Sequence, residues 1–231
     1  MYHNQVVLIT GANRGIGLAT SKKFLEEGYT VVLTSRDAVK GRQVVESLGM
    51  YSNLYFFQLD ISDDQSVETC IDSVIQNLGR IDILINNAGV HYDPWQNPLN
   101  VDMNQVLDAL NVNSLGAWRM SNATIPIMKR QHFGRIINVS SSIGSLTSIS
   151  ADTPAYSLSK AALNIVTIKL SKALEHTPIC INALCPGWVQ TDMGGNHAPK
   201  SPLEAAEDIY WLTQQDHLNG KFVRNQNIIP F

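Results

Sequence analysis

Thr10-Gly11-Ala12-Asn13-Arg14-Gly15-Ile16-Gly17 decides the reading of this chain. It follows the apolar run Val6-Val7-Leu8-Ile9 and opens an amphipathic segment carrying Ile16, Leu18, Ala19, Phe24 and Leu25. A strand, a glycine-rich turn and a helix, in that order, form a phosphate cradle, because the N–H groups at the helix start face an anion. Gly11 permits the tight turn, Gly15 lets the backbone approach a pyrophosphate, and Gly17 lets helix and strand pack closely. The spacing is T-G-x-x-x-G-x-G rather than G-x-G-x-x-G. Taken alone, the stretch also fits a glycine turn with no ligand.

The rest of the chain sets bounds around this motif. Its 231 residues suffice for one large domain, 1–231, and no stretch reads as a second one. Hydrophobic residues make up 44%, enough for a real core, and the net charge of −3 points away from nucleic acid and from anionic membranes as partners. Cys70, Cys180 and Cys185 form no C-x-x-C pair, which fits reduced thiols and a cytoplasmic location. The first strand begins at about Gln5, leaving no room for a signal peptide, and no apolar run approaches the ~18 residues of a membrane span. The histidines are scattered at no metal-ligand spacing, so no metal site is expected.

Apolar runs alternate with helical patterns along the whole length. Expected strands are Val6–Thr10, Thr30–Thr34, Leu54–Leu59, Ile81–Asn86, Arg135–Ser140, Ile179–Leu184 and a short one near Lys221–Val223. Most are continuous apolar runs, which suits a parallel sheet buried on both faces. The expected architecture is therefore a Rossmann fold of the α/β class, a doubly wound parallel sheet of seven strands with helices on both faces. Ser62-Asp63-Asp64-Gln65 reads as a capping box, and one long helix is expected from about Asp102 to Lys129.

In such a sheet, ligands bind at the carboxyl ends of the strands. After the second strand comes Ser35-Arg36-Asp37, with no carboxylate at the tip; Arg36 and the loop residue Arg14 flank the place of an adenosine ribose, though both also read as plain surface charges. Asp60-Ile61 follows the third strand, where Asp60 either accepts from an adenine amino group or caps the local turn. Asn86-Asn87-Ala88-Gly89 follows the fourth, small enough to let the backbone run under a cofactor. Asn113 and Asn111 stand in the long helix, an unfavourable place for asparagine. Ser140-Ser141-Ser142 follows the fifth strand, and Tyr156 and Lys160 share one face of the next helix at i and i+4. Pro186-Gly187-Trp188-Val189-Gln190-Thr191 after the sixth fixes a turn that could border a nicotinamide ring.

Each of these motifs is weak or moderate alone, but their ordered set resembles the short-chain dehydrogenase/reductase family over nearly the whole chain. Within it, the pieces Val31 to Asp37, Cys185 to Met193 and Lys200 to Glu204 look most like NADPH-dependent carbonyl reductases. The resemblance implies Tyr156, Lys160, Ser141 and Asn113 as the catalytic set. Ser141 is preferred over Ser140 because Gly144 lies three residues on, and Asn113 over Asn111 because of Gly116. It implies NADP(H) held by Gly11, Asn13, Arg14, Gly15, Ile16, Gly17, Arg36, Asp60, Ile61, Asn87, Ala88, Gly89, Tyr156, Lys160, Pro186, Gly187, Val189 and Thr191. It also implies a water held by Asn113 and a homodimer or homotetramer paired through the long helices.

A tyrosine titrates near ~10, and a cation about 4 Å away is worth on the order of 4 kcal/mol at an effective dielectric of about 20. Lys160 is therefore expected to make Tyr156 a stronger acid, by up to ~3 on the pH scale before desolvation opposes it. Tyr92, Trp95, Leu146, Trp188 and Met193 suggest a bulky or flat apolar carbonyl substrate. Two other readings compete: a silent nucleotide-binding regulator, which would not need all four catalytic residues, and an epimerase or dehydratase relative, which would carry a larger segment after Thr191. No G-x-S-x-G elbow speaks for a serine hydrolase.

Overall fold

Val6–Ile9 forms the first strand, β1, with all four side chains buried. Val6 and Leu8 enter one apolar core while Val7 and Ile9 enter another, so strand alternation sends one continuous apolar run to both faces of the sheet. The computed structural model describes residues 4–49 and 51–231. In chain order the helices are α1 (Gly15–Glu26), α2 (Ala38–Leu48), α3 (Asp64–Leu78), α4 (Met103–Leu110), α5 (Ala117–Gln131), α6 (Pro154–Ala173) and α7 (Pro202–Thr213). The strands after β1 are β2 (Thr30–Ser35), β3 (Leu54–Gln58), β4 (Ile83–Asn86), β5 (Gly134–Val139), β6 (Ile179–Leu184), β7 (Phe222–Arg224) and β8 (Asn227–Ile229).

The sheet order is β3-β2-β1-β4-β5-β6-β7-β8, parallel from β3 through β7. Phe24 and Leu25 of α1 and Ile209 and Leu212 of α7 fill one core. Val67, Ile71 and Val74 of α3 and Met120, Ile127 and Met128 of α5 fill the other. The doubly wound sheet matches the sequence expectation, with one strand more.

That extra strand is β8, which pairs antiparallel with β7 across Arg224↔Asn227. Asn225 and Gln226 connect them with φ of 47° and 62°, the backbone a two-residue hairpin needs. Neither residue is the glycine that normally signals such a turn, so the hairpin is silent in the sequence. The tail splits its apolar residues: Ile228 stays exposed, while Phe231 stacks on Phe222 with centroids 5.3 Å apart.

Two helix expectations are corrected. The capping box is displaced: Asp63 caps α3 by accepting from the Gln65 N–H, because the Ser62 hydroxyl is taken by Asp60. The long helix is real in extent but not regular, since Asn111–Gly116 between α4 and α5 is a π-helical segment. Arg119 donates to the Asn111 carbonyl at 3.3 Å, satisfying a group in the widened turn. Gly116 is there because a Cβ would sit 2.7 Å from Cδ1 and 3.0 Å from the carbonyl oxygen of Ile61.

Candidate active site

Residues at or just beyond the carboxyl ends of strands β1 to β7 converge on one cavity of about 630 Å³ at that edge of the sheet. Its first wall is the glycine loop: Gly11, Asn13, Arg14, Gly15 and Ile16 all line it. Gly11 has φ +62°, and a Cβ on it would lie 2.9 Å from the Ala88 Cα, so the turn and the close approach both demand glycine. α1 starts at this wall with no capping side chain and no acidic residue in its first turn, unlike α2, α3, α4 and α7, which Asp37, Asp63, Asp102 and Ser201 cap. Its open N–H groups suit an anionic ligand, so the chain's own residues fit the diphosphate of a dinucleotide. Gly17 lies behind the loop instead, packed toward the Gly11 carbonyl and Asn87, and does not line the cavity.

Arg36, Asp60 and Ile61 form the outer end. Ser35 at the tip of β2 is buried, its hydroxyl donating to the Asp37 carbonyl, and the Asp37 carboxylate turns away to accept from the Val39 and Lys40 N–H groups. No carboxylate therefore occupies the β2 tip. Asp60 accepts from both the N–H and the hydroxyl of Ser62, yet both bonds fall on Oδ1. Burial works against its charge, but those two bonds and the Arg36 guanidinium outweigh burial and hold the carboxyl below its ordinary range. Arg14 is engaged: it forms an exposed ion pair with Asp192 across the cavity mouth.

Asn87, Ala88 and Gly89 line the middle. Asn87 donates to the Thr10 and Gly11 carbonyls at 2.9 and 3.0 Å, tying the glycine loop to the end of β4. Pro186, Gly187, Val189 and Thr191 face them from beyond β6.

Ser141, Tyr156 and Lys160 meet at the inner end. Ser140 is buried and donates its hydroxyl to Asn164 at 2.6 Å, whereas Ser141 Oγ only accepts, from the Ile143 N–H, and keeps its proton for another acceptor. Lys160 is buried, donates to the Val139 carbonyl at 2.8 Å, and holds its Nζ 5.4 Å from the Tyr156 ring centroid. Burial pulls the ammonium down to about 8, with the nearby Cys185 acting weakly the other way. Burial, with smaller contributions from Cys185 and Tyr92, pushes the Tyr156 hydroxyl well above its ordinary range. Burial thus opposes the acidifying effect expected of Lys160 on Tyr156, because it favours the neutral form of both groups.

Asn113 does not line the cavity. Its side chain donates to the Val90 carbonyl and Ser159 Oγ and accepts from the Val90 N–H at 2.8 Å. It clamps the end of β4 to α6. Of the expected aromatic wall, Tyr92, Trp188 and Met193 line the cavity, joined by Ile143. Tyr92 meets Tyr156 edge to face at 5.6 Å. Trp95 and Leu146 stand outside, 73% and 76% exposed, because the Asp93–Gln96 and Ser145–Thr147 hydrogen bonds turn their loops outward.

A family model described as short chain dehydrogenase matches residues 5–202. The chain belongs to the short-chain dehydrogenase family. Carbonyl reductase [NADPH] 1 of Rattus norvegicus is 30% identical over 282 aligned positions, covering 98% of each chain. The aligned length exceeds the 231 residues here, so that relative carries segments this short-chain dehydrogenase lacks. Carbonyl reductase Sniffer of D. melanogaster superposes with a TM-score of 0.91 at 26% identity, over 99% of both chains. An NADPH-bound carbonyl reductase from chicken fatty liver gives 0.90 at 27% identity over the full length of both.

Sequence reasoning missed one residue on which Tyr156 depends. Asp93 is fully buried, and its carboxylate accepts from the Ala155 and Tyr156 N–H groups, both at 3.1 Å. It thus caps α6 from sixty residues upstream, where Thr153 offers no side-chain cap. No local pattern could reveal a cap so distant in sequence. Asp93→Ala should lower the unfolding free energy by about 2–4 kcal/mol in urea titration, since two buried donors lose their acceptor. Asp152→Ala, in the exposed stretch before the same helix, should change it by less than about 0.5 kcal/mol.

Proposed function

We propose that this short-chain dehydrogenase is an NADPH-dependent carbonyl reductase, acting on ketones, aldehydes or quinones. The observation that supports the reading is that Tyr156, Ser141 and Lys160 line the same cavity as an uncapped helix start. When bound, NADP(H) supplies the hydride. The glycine loop holds its diphosphate, Asp60 and Ile61 its adenine, and Asn87 to Gly89 with Pro186, Gly187, Val189, Thr191 and Lys160 its nicotinamide half. The carbonyl reductase names of the relatives support the same cofactor and substrate class.

The protein's own residues handle the proton. Ser141 Oγ donates to the carbonyl oxygen and fixes it. Tyr156, kept protonated at neutral pH by burial, gives its hydroxyl proton to that oxygen as negative charge develops there. The phenolate left behind lies beside the Lys160 ammonium, which stabilises it until water returns the proton. Following NADPH consumption against a carbonyl panel tests this. Tyr156→Phe should cut turnover by about 10²–10⁴-fold with NADPH affinity little changed; substantial residual activity would assign the proton to another group.

Arg36 is proposed to read the 2′-phosphate, with Arg14 joining once it leaves Asp192. That release is cheap, about 1 kcal/mol or less for so exposed a pair. Arg36→Ala should lower kcat/KM for NADPH by about ten- to a hundredfold and for NADH far less, with added salt narrowing the gap. Equal efficiencies in the unmodified protein would overturn the assignment.

Lys160 gives a pH signature. Its ammonium is depressed to about 8, so the charge is present below that pH and lost above it. Affinity for the anionic cofactor should therefore fall as pH rises through 8, and Lys160→Met should bind weakly with a flat profile. Calorimetric titration across pH checks this.

Assembly is also a proposal. Leu107 on α4, Leu115 in the π segment, Trp118 on α5, and Leu158 and Ile165 on α6 leave apolar side chains exposed on adjoining helices. A second copy would cover them, and light scattering should find a particle of at least twice the 25.5 kDa chain mass. A monomer alone at micromolar concentration would refute it.

A further inference from the structure

We propose that Arg224 is an anion anchor at the substrate end of the cavity, so that the preferred carbonyl substrates carry a carboxylate remote from the carbonyl group. The inference rests on the reductase reading above and narrows its substrate class.

Arg224 lines the same cavity as Tyr156 and Ser141, and it arrives from the far side of the sheet. Four strand intervals separate β7 from β1, which at about 4.8 Å each is roughly 19 Å, too far for the diphosphate at the glycine loop. The sheet register settles which face it occupies. Ala183 pairs with Phe222 and Leu184 with Val223, so Arg224 comes level with Cys185. Ala183, Cys185 and Phe222 share one apolar cluster, and alternation puts Arg224 on that face. Cys185 in turn lies against the serine turn, its Sγ accepting from the Ser142 N–H at 3.2 Å. Arg224, itself exposed, therefore stands at the rim of the cavity on the side of Cys185 and the serine turn.

Its charge is available there. Arg14 is paired with Asp192, Arg36 faces Asp60, and Lys160 is bonded to the Val139 carbonyl. The neighbouring Lys200 is neutralised by Asp208. Arg224 makes no ion pair among the described residues, and the two carboxylates lining the cavity are Asp60, at the opposite end, and the engaged Asp192. The backbone carrying it is fixed: Lys200 donates to Asn225 Oδ1 at 3.1 Å, and Gln226 donates to Asp208 Oδ1 at 3.4 Å. A guanidinium at the end of a paired strand, lining one cavity with the apolar Trp188 and Met193, suits a molecule with an apolar body and a carboxylate end, which it can grip with two parallel N–H donors.

Paired substrates test this: para-formylbenzoate and para-formylcinnamate, each against its methyl ester, with NADPH as reductant. The ratio of kcat/KM for acid over ester should fall by about tenfold in Arg224→Gln and be largely restored in Arg224→Lys. A second readout needs no turnover. Calorimetric binding of phenylbutyrate to the protein–NADPH complex should weaken by about tenfold in Arg224→Gln, while phenylbutyramide binding should not respond. If no aldehyde is reduced but phenylbutyrate binding still depends on Arg224, the reductase reading fails and the anion anchor stands. Ratios and phenylbutyrate binding both indifferent to Arg224→Gln would overturn the anchor, whatever the turnover.

Discussion

The parallel pairing of β1 with β2 on one side and β4 on the other is the constraint on which the rest of the structure depends. Parallel neighbours cannot be joined by a hairpin, so the chain must cross over through a helix each time. Right-handed crossovers that leave β1 in opposite directions bring helices down on opposite faces. The carboxyl ends then part where the strand order reverses, and the glycine loop after β1 lies at that parting. Each later strand delivers its own contribution to the same edge: Arg36, Asp60, Asn87, Ser141, Pro186, Arg224.

Charge is arranged along this edge by depth. Lys160 and Tyr156 are dry, and their environment sets which proton each one keeps. Arg14, Arg36 and Arg224 stand in water at the rim, where holding a cation costs little and recognising an anion remains possible. Desolvating Lys160 carries a penalty that the Val139 carbonyl only partly offsets. A single fold provides both settings, buried and solvated, because the cavity runs from core to surface.

The sheet and the glycine loop were legible because each is encoded locally, in continuous apolar runs and in a spacing of glycines. Most positions that line the cavity were legible for the same reason, since they directly follow strands. What was not legible depends on distance or on context. Asp93 reaches across sixty residues to cap α6. Asn225 and Gln226 turn a hairpin without glycine because Lys200 and Asp208 hold their side chains. The acidity of Tyr156 was misjudged because the sequence supplies the neighbouring cation but not the burial that opposes it. Asn113 was expected from the resemblance to hold a water, and the bonds its amide makes to Val90 and Ser159 join segments 23 and 46 residues apart that no local pattern connects.

The widened turn at Asn111–Gly116 sets how the two halves of this helix are rotated against each other. A π segment carries a residue more than the regular spiral would, and each residue advances an α-helix by about 100°. Winding the same residues as a uniform α-helix would swing everything upstream by about that angle relative to α5. Val106 and Ala109, now packed against Ala155 at the start of α6, would rotate toward water, and Leu107 would take their place. An irregularity that looks like a defect in the helix is thus what phases its two halves against one shared neighbour. Regularising the sequence for stability would work against the packing it was meant to improve.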